Sequence, residues 1–309
     1  MAPDARRAHP FERGRMARLQ PLAPVHAAPL LRPLLGELLD LLGGLTAEQW
    51  DAPTVAGAWR VRDVAAHLLD GDLRKLAAYR DGHLLPSEAP IRTDRDLARF
   101  VNALNAEGVA WARRLSPRLV VDLLATTGAW AADLLEALPP HGAAIWPVSW
   151  AGEAVSENWM DVGREYTERW HHQMQIRDAV AAPPTLLEAR WYRPLLELSV
   201  RALPRSYADV TAPPGAAVTF AVTAAGDATS GGAGDGDVLG AWTLVREAER
   251  WTLYEGDGAE ATTVVRATAD AAWRLLYNAL RSPTPPSAIT IAGDRRLAEP
   301  LLQTRSVVV

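Results

Sequence analysis

The chain contains no cysteine. Disulfides, thiolate metal ligands and a cysteine nucleophile are therefore excluded, and any thiol chemistry must use a thiol brought from outside. It also lacks an apolar run approaching the ~20 residues that cross a bilayer. The arginine-bearing start from Met1 to Arg18 is not followed by the apolar core of a signal peptide. Together these absences predict a cytoplasmic protein without a membrane partner. Clusters of one charge are missing too: 32 basic residues are dispersed among 37 acidic ones, for a net charge of -5. With no stripe to neutralise a run of phosphates, nucleic acid is not an expected partner.

What is present suits packed cores, since 49% of the 309 residues are hydrophobic and 22% charged. That length exceeds what one core usually serves, so a larger first domain and a smaller second one are expected. Residues 1–26 are rich in Arg, Pro and His without periodicity, and Met16 lies just before the pattern improves. They read as a disordered leader or a start assigned too early. Between 27 and 204 the period is helical. Leucines from Pro29 to Leu42 keep helical spacing until Gly43-Gly44 stops them, and Thr46-Ala47-Glu48-Gln49 matches a capping box. Further helices are predicted over Val61 to Tyr79, Asp94 to Arg114, Pro117 to Leu138, Ser156 to Val180 and Pro184 to Leu203, with no strand among them. Long helices joined by loops of moderate length indicate a bundle.

From 205 to 309 the period changes to two. Strands are expected at Ala217 to Thr223, Ala241 to Arg246, Arg250 to Tyr254, Ala261 to Ala267 and Ile289 to Ile291, and helices at Asp270 to Leu280 and Arg295 to Gln303. This is a small α+β domain. Gly226 to Gly236 (GDATSGGAGDG) reads as a mobile loop between strands.

Chemistry gathers on two helices. His67 lies in the apolar run Val64-Ala65-Ala66-His67-Leu68-Leu69, where a group that titrates near neutrality needs a partner, a backbone carbonyl in the simplest case. Glu168 and His172, four residues apart, project from one helix face and can converge on one ion. A carboxylate and neutral imidazoles are good ligands for zinc and other divalent metals, and His67 from a facing helix would complete three ligands with one position open. The same spacing also describes a solvated stripe, Asp161, Glu165, Glu168, His172 and Gln175. His171, about 100 degrees away on the helix, reads as a packing or surface residue, and Asp161 and Glu165 as groups that could orient a ligating imidazole.

Trp59-Arg60-Val61-Arg62-Asp63-Val64-Ala65-Ala66-His67-Leu68 resembles the W-T-V-R-D-x-x-A-H-L motif of the mycothiol-dependent maleylpyruvate isomerase-like proteins, in the DinB-like superfamily. Glu168-Arg169-Trp170-His171-His172 is similar to that family's E-x-x-x-H. Trp273-Arg274-Leu275-Leu276 and Ile291-Ala292-Gly293-Asp294 resemble its small sterol-carrier-like partner domain. The resemblance implies an all-α four-helix bundle followed by a small α+β domain, with zinc or another divalent ion on His67, Glu168 and His172. It also implies a low-molecular-weight thiol, mycothiol or a relative such as bacillithiol, as co-substrate for S-transfer to, or isomerisation of, a small electrophile. A metal that lowers the pKa of a bound thiol agrees with a chain that has no sulfur nucleophile of its own. Arg80, Arg164 and Arg177 are candidate grips for substrate carboxylates. Trp59, Trp150 and Trp170 are candidate pocket walls. A metal-dependent hydrolase with Glu165 as base, and a non-catalytic protein that binds a small ligand, are the other readings of the same residues.

Overall fold

A computed structural model describes residues 19–87, 89–224, 238–258, 260–280 and 287–307. The chain divides into two compact units, one spanning Pro24–Ser199 and the other containing Val200–Ser306 together with the segment before Pro24. The glycine-rich stretch from Gly226 to Gly236 lies outside the described residues, as do residues 1–18 of the expected leader.

The first unit is helical. Helix α1 (Ala28–Gly43) carries Leu31, Leu34, Leu35, Leu38 and Leu42 on its buried face, the three- and four-residue spacing that makes one apolar stripe. A short α2 (Ala47–Trp50) opens on the capping box of Thr46 and Gln49. Helix α3 (Val61–Lys75) starts where Asp63 accepts the Arg60 backbone N–H at 3.0 Å, and it passes into a π-helical turn over Leu76–Arg80. Helix α4 (Asp94–Ala112) is capped by Thr93. Helix α5 (Pro117–Glu136) is capped by Ser116, with proline in its first turn where a missing N–H costs nothing. Helix α6 (Asn158–Ala179) is the longest, and α7 (Ala189–Ser199) follows a turn of 3₁₀ helix. Helix α1 packs on α5 and α6, α3 packs on α4, α5 and α6, and α6 also packs on α7.

Helix α6 departs most from expectation. Its polar stripe is not solvated: Asp161, Glu165, His172 and Gln175 are all buried. An apolar core would strand such groups, so each must find a partner inside the protein.

The second unit is a mixed sheet with three short α-helices among its described residues. After a 3₁₀ turn and α8 (Leu203–Ser206), strands β2 (Ala217–Thr223), β3 (Val238–Arg246) and β4 (Trp251–Glu255) form an antiparallel run. Strand β5 (Thr263–Thr268) returns parallel to β2, and β6 (Ile289–Gly293) pairs antiparallel with β5. Helices α9 (Ala269–Leu276) and α10 (Arg295–Gln303) complete the unit, both packing on β5. The sheet order is β1-β4-β3-β2-β5-β6, where β1 is Gln20–Pro21. That edge strand corrects the disordered reading for residues 19–26 alone, since residues 1–18 lie outside the described ones. Two residues paired with Glu255 and Tyr254 are too short to leave an alternating pattern in sequence.

Candidate functional site

Because α3 packs on α6, His67 from the second turn of α3 meets Glu168 and His172 from one face of α6. One ligand atom from each of the three lies within 4.8 Å of the others. The His67 and His172 rings meet edge to face, with centroids 4.5 Å apart. Buried His67 Nδ1 has no hydrogen-bond partner. Burial first, then His172, Arg74 and His171, hold the His67 imidazole well below its usual pKa, so it is neutral with a lone pair to give.

His172 is oriented by Gln175. Its Nδ1 lies 2.9 Å from the Gln175 side-chain amide, and its Nε2 faces Glu168 Oε2 at 3.3 Å. That separation matches two ligand atoms on one tetrahedral ion, because bonds of ~2.1 Å place such ligands about 3.4 Å apart. The donor set and the orphaned His67 nitrogen thus fit a divalent metal. His171, read from sequence as a packing or surface residue, is buried, and its Nε2 lies 2.9 Å from the Gln175 side-chain amide.

Of the candidate pocket walls, only Trp59 is brought to this cluster, with ring centroids 5.1 Å from His67 and 6.4 Å from His172. Trp170 is core: it stacks on Tyr192 and donates its indole N–H to the Leu186 carbonyl at 3.1 Å. Trp150 is buried in the 3₁₀ turn Ser149–Ala151 that precedes α6. The arginine candidates are engaged elsewhere. Arg80 is paired with its exposed neighbour Asp81 at 2.8 Å, and Arg177 ties α6 to Glu37 of α1 at 3.2 Å. Arg164 Nε donates to Asp161 Oδ1 at 2.9 Å.

Asp161 and Glu165, expected to orient a ligating imidazole, belong instead to a buried ion network on the facing sides of α3 and α6. Lys75 Nζ lies 3.3 Å from Asp161 and 3.6 Å from Glu165. Tyr79 also donates to Asp161. Arg169 bridges Glu165, at 3.1 Å, and Asp72, whose other oxygen accepts from Thr127 at 3.1 Å. Three carboxylates, Asp72, Asp161 and Glu165, balance Lys75, Arg164 and Arg169, which is what lets so many charges stay inside. Burial alone would raise Asp161 and Glu165, but their cationic neighbours outweigh it and hold both carboxyls below the usual range. Asp72 goes the other way, raised by burial despite Arg169. Sequence reading missed Asp72, Lys75 and Arg169. The available signal was charge at positions that the α3 and α6 periodicities assign to the interior.

Residues 31–177 match the model of the mycothiol maleylpyruvate isomerase N-terminal domain family. This segment belongs to that domain family. The match covers α1 to nearly the end of α6, and so includes His67, Glu168 and His172. A crystal structure of a mycothiol-dependent maleylpyruvate isomerase is similar in fold, at TM-score 0.52 and 12% identity, over 88% of this chain and 93% of that one. A variant of that isomerase with one histidine replaced by alanine gives TM-score 0.50 with the same identity and coverage. No curated protein matches the chain. The likeness to the isomerase spans nearly the whole of both chains, so the shared fold includes the α+β unit as well as the family domain. Among the described residues, no helix is long and apolar enough to cross a membrane.

Proposed function

We propose that this protein is a metal-dependent, thiol-using enzyme of the mycothiol maleylpyruvate isomerase type, with His67, Glu168 and His172 holding one divalent ion, zinc in the first instance. The observation that carries the reading is that His67, Glu168 and His172 each bring one ligand atom within 4.8 Å of the others, with buried His67 Nδ1 left without a hydrogen-bond partner. The ring of packed pairs α1–α5–α3–α6 supports reading the unit as a DinB-like four-helix bundle, the setting in which facing helices deliver ligands inward. A bound ion would lower the pKa of a coordinated thiol, so that its thiolate is present at neutral pH. The chain's own residues do the rest. His67 and His172 offer ring nitrogens, Glu168 offers a carboxylate oxygen, and Trp59 walls one side. Three protein ligands leave room for an exogenous thiol, which a chain without cysteine must import. The co-substrate is then mycothiol or a related thiol, and the substrate a small electrophile of the maleylpyruvate kind, in a protein that works in the cytoplasm.

The hydrolase reading is less well supported, because Glu165 is committed to Lys75 and Arg169 and is not free to act as a base beside the triad. Elemental mass spectrometry of wild type, His67→Ala and His172→Ala tests the metal. We expect close to one equivalent in wild type and loss in both variants. Maleylpyruvate isomerisation with and without added mycothiol then tests the chemistry. Turnover without thiol would favour the hydrolase class, and a metal-free wild type that zinc cannot load would overturn the enzymatic reading in favour of a small-ligand-binding protein.

A further inference from the structure

Helices α4 and α6 each pack on α3, and among the described residues they make no comparable contact with each other. A groove therefore runs along α3 between them. Successive residues step about 100° around a helix, so the stripe of α3 that floors the groove is fixed by what lies on either side. Asp63 and Asp70 face α4: Asp63 pairs with Arg113 at the end of that helix at 2.9 Å, and a Cβ added at Gly108 would stand 2.4 Å from Asp70. Asp72 and Lys75 face α6 through Arg169 and Asp161. Between the two sides, three and four residues apart, lie His67, Gly71 and Arg74. The middle of this floor is open. A Cβ at Gly71 would meet no atom within 4 Å, although the residue is half-buried. Glycine weakens a helix interior relative to alanine, and no neighbouring atom requires it here. Beside it the Arg74 head is drawn back along the helix, with Nε 2.8 Å from Asp70 Oδ2 and Nη2 donating to Asn105 of α4 at 2.8 Å. Both contacts are on the α4 side, and among the described residues Nη1 meets no acceptor. Arg164, by contrast, is hemmed in by Asp161, Glu165 and Glu168, which would repel an incoming anion.

We infer that Arg74 is a substrate-binding residue: its uncommitted guanidinium N–H groups hold a carboxylate of a small organic acid lying in this groove, and Gly71 keeps clear the space between that carboxylate and the His67–Glu168–His172 cluster. The inference rests on the enzymatic reading above for what happens at the other end of the acid. The planar fork of arginine takes both oxygens of a carboxylate at once. Asp70 and Asn105 fix the head before the acid arrives, so little side-chain freedom is left to lose on binding. With the head drawn back to Asp70, the bound carboxylate stands about one helical turn, ~5.4 Å, from the His67 side chain. That is the span of a short-chain acid.

Calorimetric titration of the full-length protein, purified with zinc added, with maleate as a stable dicarboxylate probe reads binding without turnover. Arg74→Gln removes the charge, Arg74→Lys keeps the charge without the fork, and Gly71→Leu fills the groove while leaving Arg74 in place. Maleate affinity should fall about 10- to 100-fold in Arg74→Gln, as for a lost charge-assisted hydrogen bond, and by less in Arg74→Lys. Gly71→Leu should lose at least about as much as Arg74→Gln, yet its urea midpoint should be no lower than wild type's, because leucine is the better helix former and meets open space. All three variants should hold wild-type zinc. In steady-state kinetics KM for the acid should rise while KM for the thiol stays at the wild-type value, a split that a merely structural role would not produce. Wild type that binds no maleate, or Arg74→Gln and Gly71→Leu that bind it as wild type does, would overturn the inference. So would a rise confined to the KM of the thiol, which would give Arg74 to the thiol instead. If wild type takes up no zinc yet binds maleate in a way that Arg74→Gln abolishes, the carboxylate grip stands and the metal reading falls.

Discussion

Asp161 shows how a single buried charge on α6 is made tolerable. It receives Lys75, Arg164 and Tyr79, and it sits one turn from Glu165, which shares Lys75. Removing one partner from a buried pair leaves the rest uncompensated, so Asp161→Asn should destabilise the protein by about 3–5 kcal/mol at neutral pH. Urea denaturation followed by far-UV circular dichroism checks the size. The pH dependence has a definite sign. Asp161 and Glu165 titrate below the ordinary carboxyl range when folded, so the stability they contribute is fully present above about pH 4 and is lost as pH falls through their folded values. Asp72, raised by burial, opposes this, because its penalty fades as it takes up a proton. Asp161→Asn should therefore lose less stability than wild type on acidification, and an acid limb as steep as wild type's would show that Asp161 does not carry it.

At the scale of elements, close approach between helices decides whether α6 can hold its register. An added methyl at Gly163 would stand 2.4 Å from a Leu198 methyl, and Leu198 on α7 is fully buried with nowhere to withdraw. Gly163→Ala should thus cost about 1–3 kcal/mol through overpacking, read as a lowered urea midpoint with an unchanged slope. A change within a few tenths would mean that α6 and α7 can slide apart. The capping signals behaved as local physics demands: the Thr46 and Thr93 boxes formed, and so did the Ser116 cap followed by proline. Helix ends were less faithful. The run expected from Val61 to Tyr79 changes to a π-helical turn at Leu76, and the stretch from Pro184 to Leu203 breaks into short helical pieces. Both lie where side chains with tertiary partners, among them Tyr79 on Asp161 and Tyr192 on Trp170, outweigh local periodicity.

For the molecule as a whole, the candidate ligands all sit in the helical unit, whereas Gly293 lies in the α+β unit at the end of β6. It has φ of 96° and no room for a Cβ, which would stand 2.1 Å from the Thr262 carbonyl oxygen. Backbone cannot withdraw as a flexible side chain can, so Gly293→Ala should lower stability by more than the about 1 kcal/mol of an ordinary glycine replacement. The substitution alters none of the candidate ligands, so folded Gly293→Ala protein should keep wild-type metal content. Elemental analysis beside a thermal melt checks both parts, and metal lost while the fold persists would show that the two units are coupled. The sequence by itself determined the alternation of helix and strand, because periodicity and caps are local. It also determined that any thiol chemistry must use an imported thiol, because absence of cysteine needs no geometry. Spacing brought Glu168 and His172 to one helix face, the apolar run around His67 marked it as a third ligand, and motif likeness joined the three. Only the tertiary structure decided that the α6 stripe is buried, that Asp161 and Glu165 serve Lys75 and Arg169 and not the histidines, and that the Gln175 amide lies against both His171 and His172. Those outcomes depend on which side chains α3 brings against α6, and a one-dimensional pattern does not record what faces it.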